Sequence, residues 1–291
     1  MNEKAVASAN GWPADGAALL DELAVFIRRH VVLSEVQAAV VALWIVHSWA
    51  IDAADTTPYL HISAPTKRSG KSRLLDVLEV LVRKPLKAGG ATEAALFRGI
   101  ADRTPTLLFD EIDSIFGPKA RDHEDLRALL NNGYRRGTPV LRCVGEGTKQ
   151  TATEFDVFCV KALCGIGRLP DTLADRALPI LLKRKAKSET VERFRYKHAQ
   201  AAAAGLRERA EGWAEMHLDR LAEATPELPD ELDDRAQDVS EPLLAIADRA
   251  GGDWPARARR ALVAVRGGTD QELHDDDAGV RLVADIQRAL G

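Results

Sequence analysis

Cysteine, aromatic residues and long apolar runs are all scarce in this chain, and each scarcity excludes something. The 291 residues include three cysteines, Cys143, Cys159 and Cys164, an odd number with no CxxC pair. A disulfide framework is therefore not expected, and buried thiols in a reducing, cytoplasmic setting are. Seven histidines occur without HExxH or another zinc-binding spacing, so no zinc site is expected. Aromatic residues make up 5% of the chain, too few for extensive stacking on nucleic-acid bases. The main apolar run, Val36 to Ile51, is 16 residues long and contains Gln37, His47 and Ser48. A membrane span needs about 20 apolar residues, so this run predicts a buried helix, and it comes too late to serve as a signal peptide. No internal repeat is evident.

Net charge is also small, at −4, but it is unevenly placed. Residues 64–187 carry 23 Lys or Arg against 15 Asp or Glu, whereas the flanks carry 17 against 29. A basic centre between acidic flanks suits a polyanionic partner, although a nucleotide alone would use part of that charge.

Two stretches carry the chemistry. In PTKRSGKSRLLDVLEVL, residues 65–81, Gly70, Lys71 and Ser72 form a GKS sequence after the apolar strand candidate YLHISA. Leu74, Leu75, Leu78 and Leu81 then give a helix one apolar face. A strand, a turn and a helix N-terminus present backbone amides and the positive end of a dipole to phosphates. Pro65, Thr66, Lys67, Arg68, Ser69, Gly70, Lys71, Ser72 and Arg73 would line such a loop, with Lys71 reaching the β- and γ-phosphates of ATP and Ser72 ligating Mg²⁺. Pro65 stands where the full motif has glycine, a departure at the position farthest from the phosphates. The second stretch, TLLFDEID, residues 106–113, is an apolar strand ending in Asp110 and Glu111. Asp110 would hold Mg²⁺ through water, and Glu111 would orient or deprotonate an attacking water. Read alone, each stretch is also compatible with a solvated turn or strand end. Together they predict a nucleotide site with Mg²⁺ as its metal.

Around this pair the chain divides into three regions: a helical prefix over 1–57, an α/β core over 58–187, and a helical region over 188–291. Residues 1–11 read as a loose tail. Trp12-Pro13 and Asp15 open a helix over 16–30, and Ser34 with Gln37 forms a capping box for a second helix to Ala50. Trp44 and Trp49 are expected in the core. Strands are predicted at 59–64, 86–88, 106–110, 158–164 and 178–183, with helices at 70–83, 92–101 and 122–133. Gly89-Gly90 precedes the second of these helices, and Thr92 is its candidate cap.

Residues 138–145 and 152–160 predict a β-hairpin with Gly147 and Lys149 near its tip. Arg135, Arg136, Arg142 and Lys149 are the candidate nucleic-acid contacts, with solvation or pairing to local acids the alternative for each. Arg176, after the short helical turn Asp171–Asp175, is a candidate arginine finger for a neighbouring subunit's γ-phosphate, the alternative being a pair with Asp171 or Asp175. Residues 189–224, 231–250 and 255–265 predict further helices, with acidic linkers at 230–234 and 275–277 and a last helix over Val280 to Leu290.

PTKRSGKS, FDEID, the hairpin, the ADR element before a strand and the helical tail together resemble the AAA+ branch of P-loop ATPases. More narrowly, residues 14–290 are similar to an uncharacterised family of helicase-like ATPase domains in actinobacterial, phage and mobile-element proteins, often attached to primase modules. The stretches HISAPTKRSGKSRLLDVLE, TLLFDEIDSIF, LRALLNNGYRRG, GIGRLPDTLADRALPILLKR and PLLAIADRAGGDWPARAR carry that resemblance. It implies a P-loop core with a parallel sheet, ATP and Mg²⁺, a DNA partner and a homo-oligomeric ring. Lys71 and Ser72 match the P-loop positions, Asp110 and Glu111 the metal and water positions, and Arg176 the finger. A polar sensor would be expected near the end of strand 158–164, but the chain reads KALCGIG. The resemblance also implies a small C-terminal module beyond residue 291. The leading expectation is an ATP-driven DNA motor or remodeller of a phage or mobile-element replication system. The alternative is a slow ATP-gated switch or loader that binds a protein partner. A small-molecule kinase is a third, weaker reading, since Glu111 beside Asp110 suits water activation.

Overall fold

The computed structural model describes residues 15–65, 69–88, 92–116, 123–145 and 150–267. The expectations for residues 1–14, Thr66, Lys67, Arg68, Gly89-Gly90, the hairpin tip with Lys149, the acidic cluster at 275–277 and the helix over 280–290 lie outside the described residues.

Five short apolar segments form a parallel sheet. They are β1 (Tyr59–Ser63), β2 (Pro85–Ala88), β3 (Thr106–Phe109), β6 (Lys161–Gly165) and β7 (Ala177–Leu181), in the spatial order β2-β3-β6-β1-β7. Three of the five, β1, β3 and β6, are buried throughout. That is why these segments read as continuous apolar runs and do not alternate. Side chains still alternate between the two faces. Leu60, Ile62, Leu108, Ala162, Cys164, Leu178 and Ile180 enter one core, and Tyr59, Leu107, Phe109, Leu163 and Ala177 enter the other.

The first face is covered by helices from both ends of the chain. Helix α1 (Gly16–His30) is capped by Asp15, and α2 (Glu35–Trp49) has the predicted Ser34–Gln37 capping box. α2 is buried on nearly every side. Its Trp44 donates to the Pro58 carbonyl and Trp49 to that of Leu81. α3 (Lys71–Glu79) follows the GKS turn on the same face. From the C-terminal half come α8 (Tyr196–Ala202), α9 (Ala204–Ala222), α10 (Asp234–Ala250) and α11 (residues 254–267). α9 and α10 pack directly on α1 and α2. A Cβ on Gly16 would sit 2.6 Å from Trp213 Nε1 and 2.8 Å from the Ala250 backbone, so the start of α1 can lie against α9 and α10 only as glycine.

The second face carries α4 (Glu93–Arg103), capped by Thr92 as expected, α5 (Asp113–Phe116), α6 (Glu124–Asn132) and α7 (Asp171–Ala174). The predicted hairpin is present as β4 (Val140–Val144) paired antiparallel with β5 (Thr151–Phe155).

Two sequence expectations are corrected. The strand expected from 158 begins at Lys161, because Asp156 turns the chain by accepting from Phe158 N and the Lys161 ammonium takes the carbonyls of Val157 and Cys159. The helix expected from 189 begins at Tyr196, because the Glu192 amide donates to the Arg29 carbonyl of α1 instead of to a helical turn. Among the described residues no single helix is long and apolar enough to cross a membrane.

Candidate functional site

In a parallel sheet every strand delivers its C-terminal end to the same edge. Here the chain leaves β1 for β2 on one side while β7 lies on the other, so the crevice past β1 is a topological switch point, the place where open α/β sheets bind ligands. The register aligns Ser63 with Gly165 and Leu181, and Phe109 with Leu163. Three chain segments thus leave the sheet side by side: the loop into Gly70, the Asp110–Glu111 pair, and the turn after β6.

Gly70 has φ 93° and begins α3 as its N-cap. This conformation costs other residues more, and it places Lys71 and Ser72 in the first helical turn. The Ser72 hydroxyl donates to Asp110 Oδ2 at 3.3 Å, joining residues 38 positions apart. The Glu111 amide donates to Asp110 Oδ1 at 3.0 Å, and the Ile112 amide donates to the Cys164 carbonyl at 2.9 Å. The Asp110 carboxylate and the Glu111 backbone are therefore fixed at the sheet edge. Glu111 holds φ 60°, an uncommon conformation for a residue other than glycine, asparagine or aspartate. Its side chain is exposed. Such strain concentrates at functional positions.

The Ser69 hydroxyl is buried and has no hydrogen-bond partner among the described residues. An orphaned buried donor beside Gly70–Ser72, with a hydroxyl and a carboxylate in contact next to it, is a donor set that suits phosphate oxygens and Mg²⁺, a cation that takes oxygen ligands. Among the described residues no group of three His, Cys, Asp or Glu side chains could hold a metal by itself.

β6, lying between β1 and β3, brings Leu163, buried Cys164, Gly165 and Ile166 to this edge. The strand supplies no charged or amide side chain where the family resemblance implies a sensor. The exposed Arg168 follows three residues later, after Gly167 at φ 88°. The sequence gives Arg168 no evident role, since only the sheet order places the end of β6 beside Asp110.

Arg176 lies at the opposite edge. It precedes β7, its carbonyl accepts from Tyr59 N at the start of β1, and about 13 Å of β1 separates it from the Ser63 end. Its guanidinium donates to the Asn131 carbonyl at 3.0 Å and lies 4.2 Å from the Tyr134 ring centroid. Neither expected acidic partner holds it, and Asp175 pairs with Arg235. Arg176 is thus remote from the Ser72–Asp110 pair of its own chain.

Of the four candidate nucleic-acid contacts, Arg136 and Arg142 are engaged by local partners. Arg136 caps the end of the helical prefix, donating to Ala54 O at 3.0 Å and Ile51 O at 2.9 Å, with its guanidinium 4.5 Å from the Phe158 ring centroid. Arg142 pairs with Asp125 and lies over Phe97. Arg142 thus meets a local acid, as in the alternative reading, whereas Arg136 is held by backbone carbonyls. Arg135 is exposed, and Lys149 lies outside the described residues.

The sequence reading also missed a buried lysine. Lys161 is 0% exposed and donates to the carbonyls of Gly133, Val157 and Cys159 at 2.8, 2.9 and 2.9 Å. Burial pushes its pKa down. A Cβ on Gly133 would lie 2.4 Å from its Nζ. The only sequence signal was a lysine at the head of an apolar strand.

Comparison with known proteins finds similarity to a family model, a curated relative and solved structures. A family model described as a protein of unknown function (DUF3631) matches residues 181–291. That stretch begins at the last residue of β7 and leaves Gly70–Ser72 and Asp110–Glu111 outside it. An uncharacterised 28.9 kDa protein in the xis 5′ region of Saccharopolyspora erythraea is 38% identical over 113 residues, covering 38% of this chain and 41% of the relative. Among solved structures, a JCV helicase bound to a phenoxyphenyl acetamide compound is 14% identical, with a TM-score of 0.36, covering 69% of this chain and 54% of that one. The chain thus spans about four-tenths of the curated relative's length and about half of the helicase chain.

Proposed function

We propose that this chain is an ATP-hydrolysing, DNA-engaging ATPase of helicase-like type that works as a homo-oligomer. The observation that carries the reading is the 3.3 Å contact between Ser72 and Asp110. It joins the GKS turn to the acidic strand end at the crevice where open α/β sheets bind ligands. In this reading the amides from Ser69 to Ser72 and the Lys71 ammonium bind the phosphates, while Pro65, Thr66, Lys67, Arg68 and Arg73 complete the loop. Ser72 and Asp110 hold Mg²⁺, which when bound neutralises phosphate charge. Glu111, exposed and fixed by its backbone bond to Asp110, orients water and accepts its proton. Arg176 faces away from its own site, so it serves a neighbouring subunit.

The test is steady-state ATP hydrolysis against protein concentration, with and without single-stranded and duplex DNA, using Glu111→Gln as the blank. Turnover that rises with protein and with DNA, and that falls by about 10²-fold or more in Glu111→Gln while ATP still binds, is the expected result. Arg176→Ala is expected to remove the dependence on protein concentration.

A second reading is favoured by one feature, the absence of a polar side chain at the end of β6. It is a slow ATP-gated switch that binds a protein partner. Turnover at the Glu111→Gln level in every condition, despite tight ATP binding, would select it.

A further inference from the structure

The basic residues committed to local partners direct attention to charge that is not. Residues 183–198, KRKAKSETVERFRYKH, contain seven Lys or Arg and one His against two Glu. All eight basic residues are exposed. Among the described residues, no ion pair or hydrogen bond engages the side chains of Lys183, Arg184, Lys187, Arg193, Arg195 or Lys197, and none of the six belongs to the residues with further contacts. Both glutamates are turned to other work. Glu189 accepts from Ala186 N at 2.7 Å, and Glu192 faces Arg29 at 3.8 Å. Six like charges thus share one short stretch without internal neutralisation, and self-repulsion opposes that arrangement unless a counter-charge arrives.

The segment is held in place as an ordered strap. At one end the Leu182 amide donates to Ser63 O, the last residue of β1. In the middle the Glu192 amide bonds Arg29 O, and His30 packs edge-on to Phe194. At the other end the Phe194 carbonyl accepts from Arg73 at 3.4 Å, and its ring lies 4.9 Å from the Arg73 guanidinium. The two outer pins flank the Gly70–Ser72 turn, one at the end of β1 and one in the first turn of α3. Tyr196, 45% exposed, sits among the charges.

We propose that the 183–198 strap is a binding surface for a single nucleic-acid strand, with Lys and Arg on the phosphates and Tyr196 available to stack on a base. The inference rests on the reading of this chain as nucleic-acid-engaging, and it moves the contact from the hairpin region to the edge of the sheet that carries the GKS turn. A membrane surface fits less well. α8 is seven residues long, and of its apolar side chains only Tyr196 is large and exposed, so it has no apolar face to insert. Arg73, in the first turn of α3, touches the strap directly and gives nucleotide binding a physical route to it.

The experiment is fluorescence anisotropy of a labelled single-stranded oligonucleotide without nucleotide, between about 50 and 200 mM salt. It compares the whole chain with the variant Arg184→Gln, Lys187→Gln, Arg193→Gln, Lys197→Gln. The expected result is binding at least about ten-fold weaker and a salt slope lower by about 3, from four charges at ~0.7 each, at an unchanged thermal midpoint. Equal affinity and slope would overturn the strap while leaving a DNA-engaging ATPase intact. No binding by the unaltered chain at low salt would overturn both the strap and the nucleic-acid half of the proposed function, leaving ATP hydrolysis to be judged separately. Binding to vesicles of anionic lipid but not to the oligonucleotide would also overturn it. Should the quadruple variant lose thermal stability, Lys187→Gln with Lys197→Gln is measured in its place, and unchanged affinity there overturns the strap.

Discussion

At the scale of single residues, strain and burial mark where this chain gives up stability. Glu111 holds a left-handed backbone that costs about 1 kcal/mol or more outside glycine and asparagine. Asparagine accepts that conformation but cannot take a proton from water. Glu111→Asn is therefore expected to keep or raise the thermal midpoint while ATP turnover falls by about 10²-fold or more. The check is a melt and a hydrolysis assay on the same preparation. Lys161 makes the opposite case, because its three ammonium donors meet three carbonyls in a fully buried position. Lys161→Met takes the ammonium donor from the Val157 and Cys159 carbonyls, while Gly133 O keeps the Cys159 amide at 3.4 Å, and should cost roughly 3 kcal/mol in denaturant unfolding. Two buried histidines, on α2 and β1, contribute to the response to acid beside His217, whose pKa burial and Arg249 lower to about 4. Burial lowers the pKa of His47 to about 3 and that of His61 to about 4. An unfolded histidine titrates near 6.5, so below that pH the unfolded chain binds protons that the folded chain refuses. The contribution of the pair is complete above pH 6.5 and is lost as pH falls toward 4. Stability at pH 5.5 should be lower than at pH 7.5 by about 1.4 kcal/mol per histidine. His47→Gln should remove its own share of that dependence, about 1.4 kcal/mol between the two pH values.

Elements show how local rules are broken and repaired by partners distant in sequence. Helix α10 contains Pro242, which removes the amide that would have bonded the Asp238 carbonyl four residues earlier. Thr56 supplies the missing donor, its hydroxyl reaching Asp238 O at 2.9 Å across 182 positions of sequence. The two residues should therefore be energetically coupled. Thr56→Val is expected to cost about 1 kcal/mol in the native chain and measurably less in a Pro242→Ala background, where the helix recovers its own donor. Denaturant unfolding of the four members of that cycle checks it. Arg136 and Arg142 illustrate the same lesson for charge. Each looked available for a polyanion, yet one caps carbonyls of the helical prefix and the other crosses to Asp125. In 183–198 the acids bond the backbone or α1, and among the described residues six of the seven arginines and lysines remain uncovered.

For the whole molecule, the helical prefix and the C-terminal helices are not separate additions to the sheet. α1, α2, α9 and α10 pack together, and with α3 they cover one face of the sheet in a continuous apolar cluster. Removing residues 1–57 would expose Leu60, Ile62, Leu178 and Ile180 along with the inner sides of α9 and α10. The chain beginning at residue 58 is expected to aggregate or to lack a cooperative transition, whereas the full chain should unfold in one step by both circular dichroism and tryptophan fluorescence. Two separated transitions would show that the prefix and the core are independent.

Much of this architecture was legible in sequence because its signals are local. Capping by Asp15, by Ser34 with Gln37 and by Thr92 needs only neighbours three residues apart, and buried parallel strands announce themselves as unbroken apolar runs. The GKS turn and the DEID strand end were each readable for the same reason, as were the hairpin and the lack of a polar residue in KALCGIG. Contact between residues far apart in sequence was decided only by the tertiary structure. The sheet order sets Asp110 against Ser72, turns Arg176 to the opposite edge and buries Lys161, none of which is encoded in spacing. The same holds for which charges are spent, since an arginine beside a carbonyl 85 positions away looks no different in sequence from one facing solvent. Hydrogen bonds and ion pairs act over a few ångströms of space, and only the packed chain determines which residues those ångströms contain.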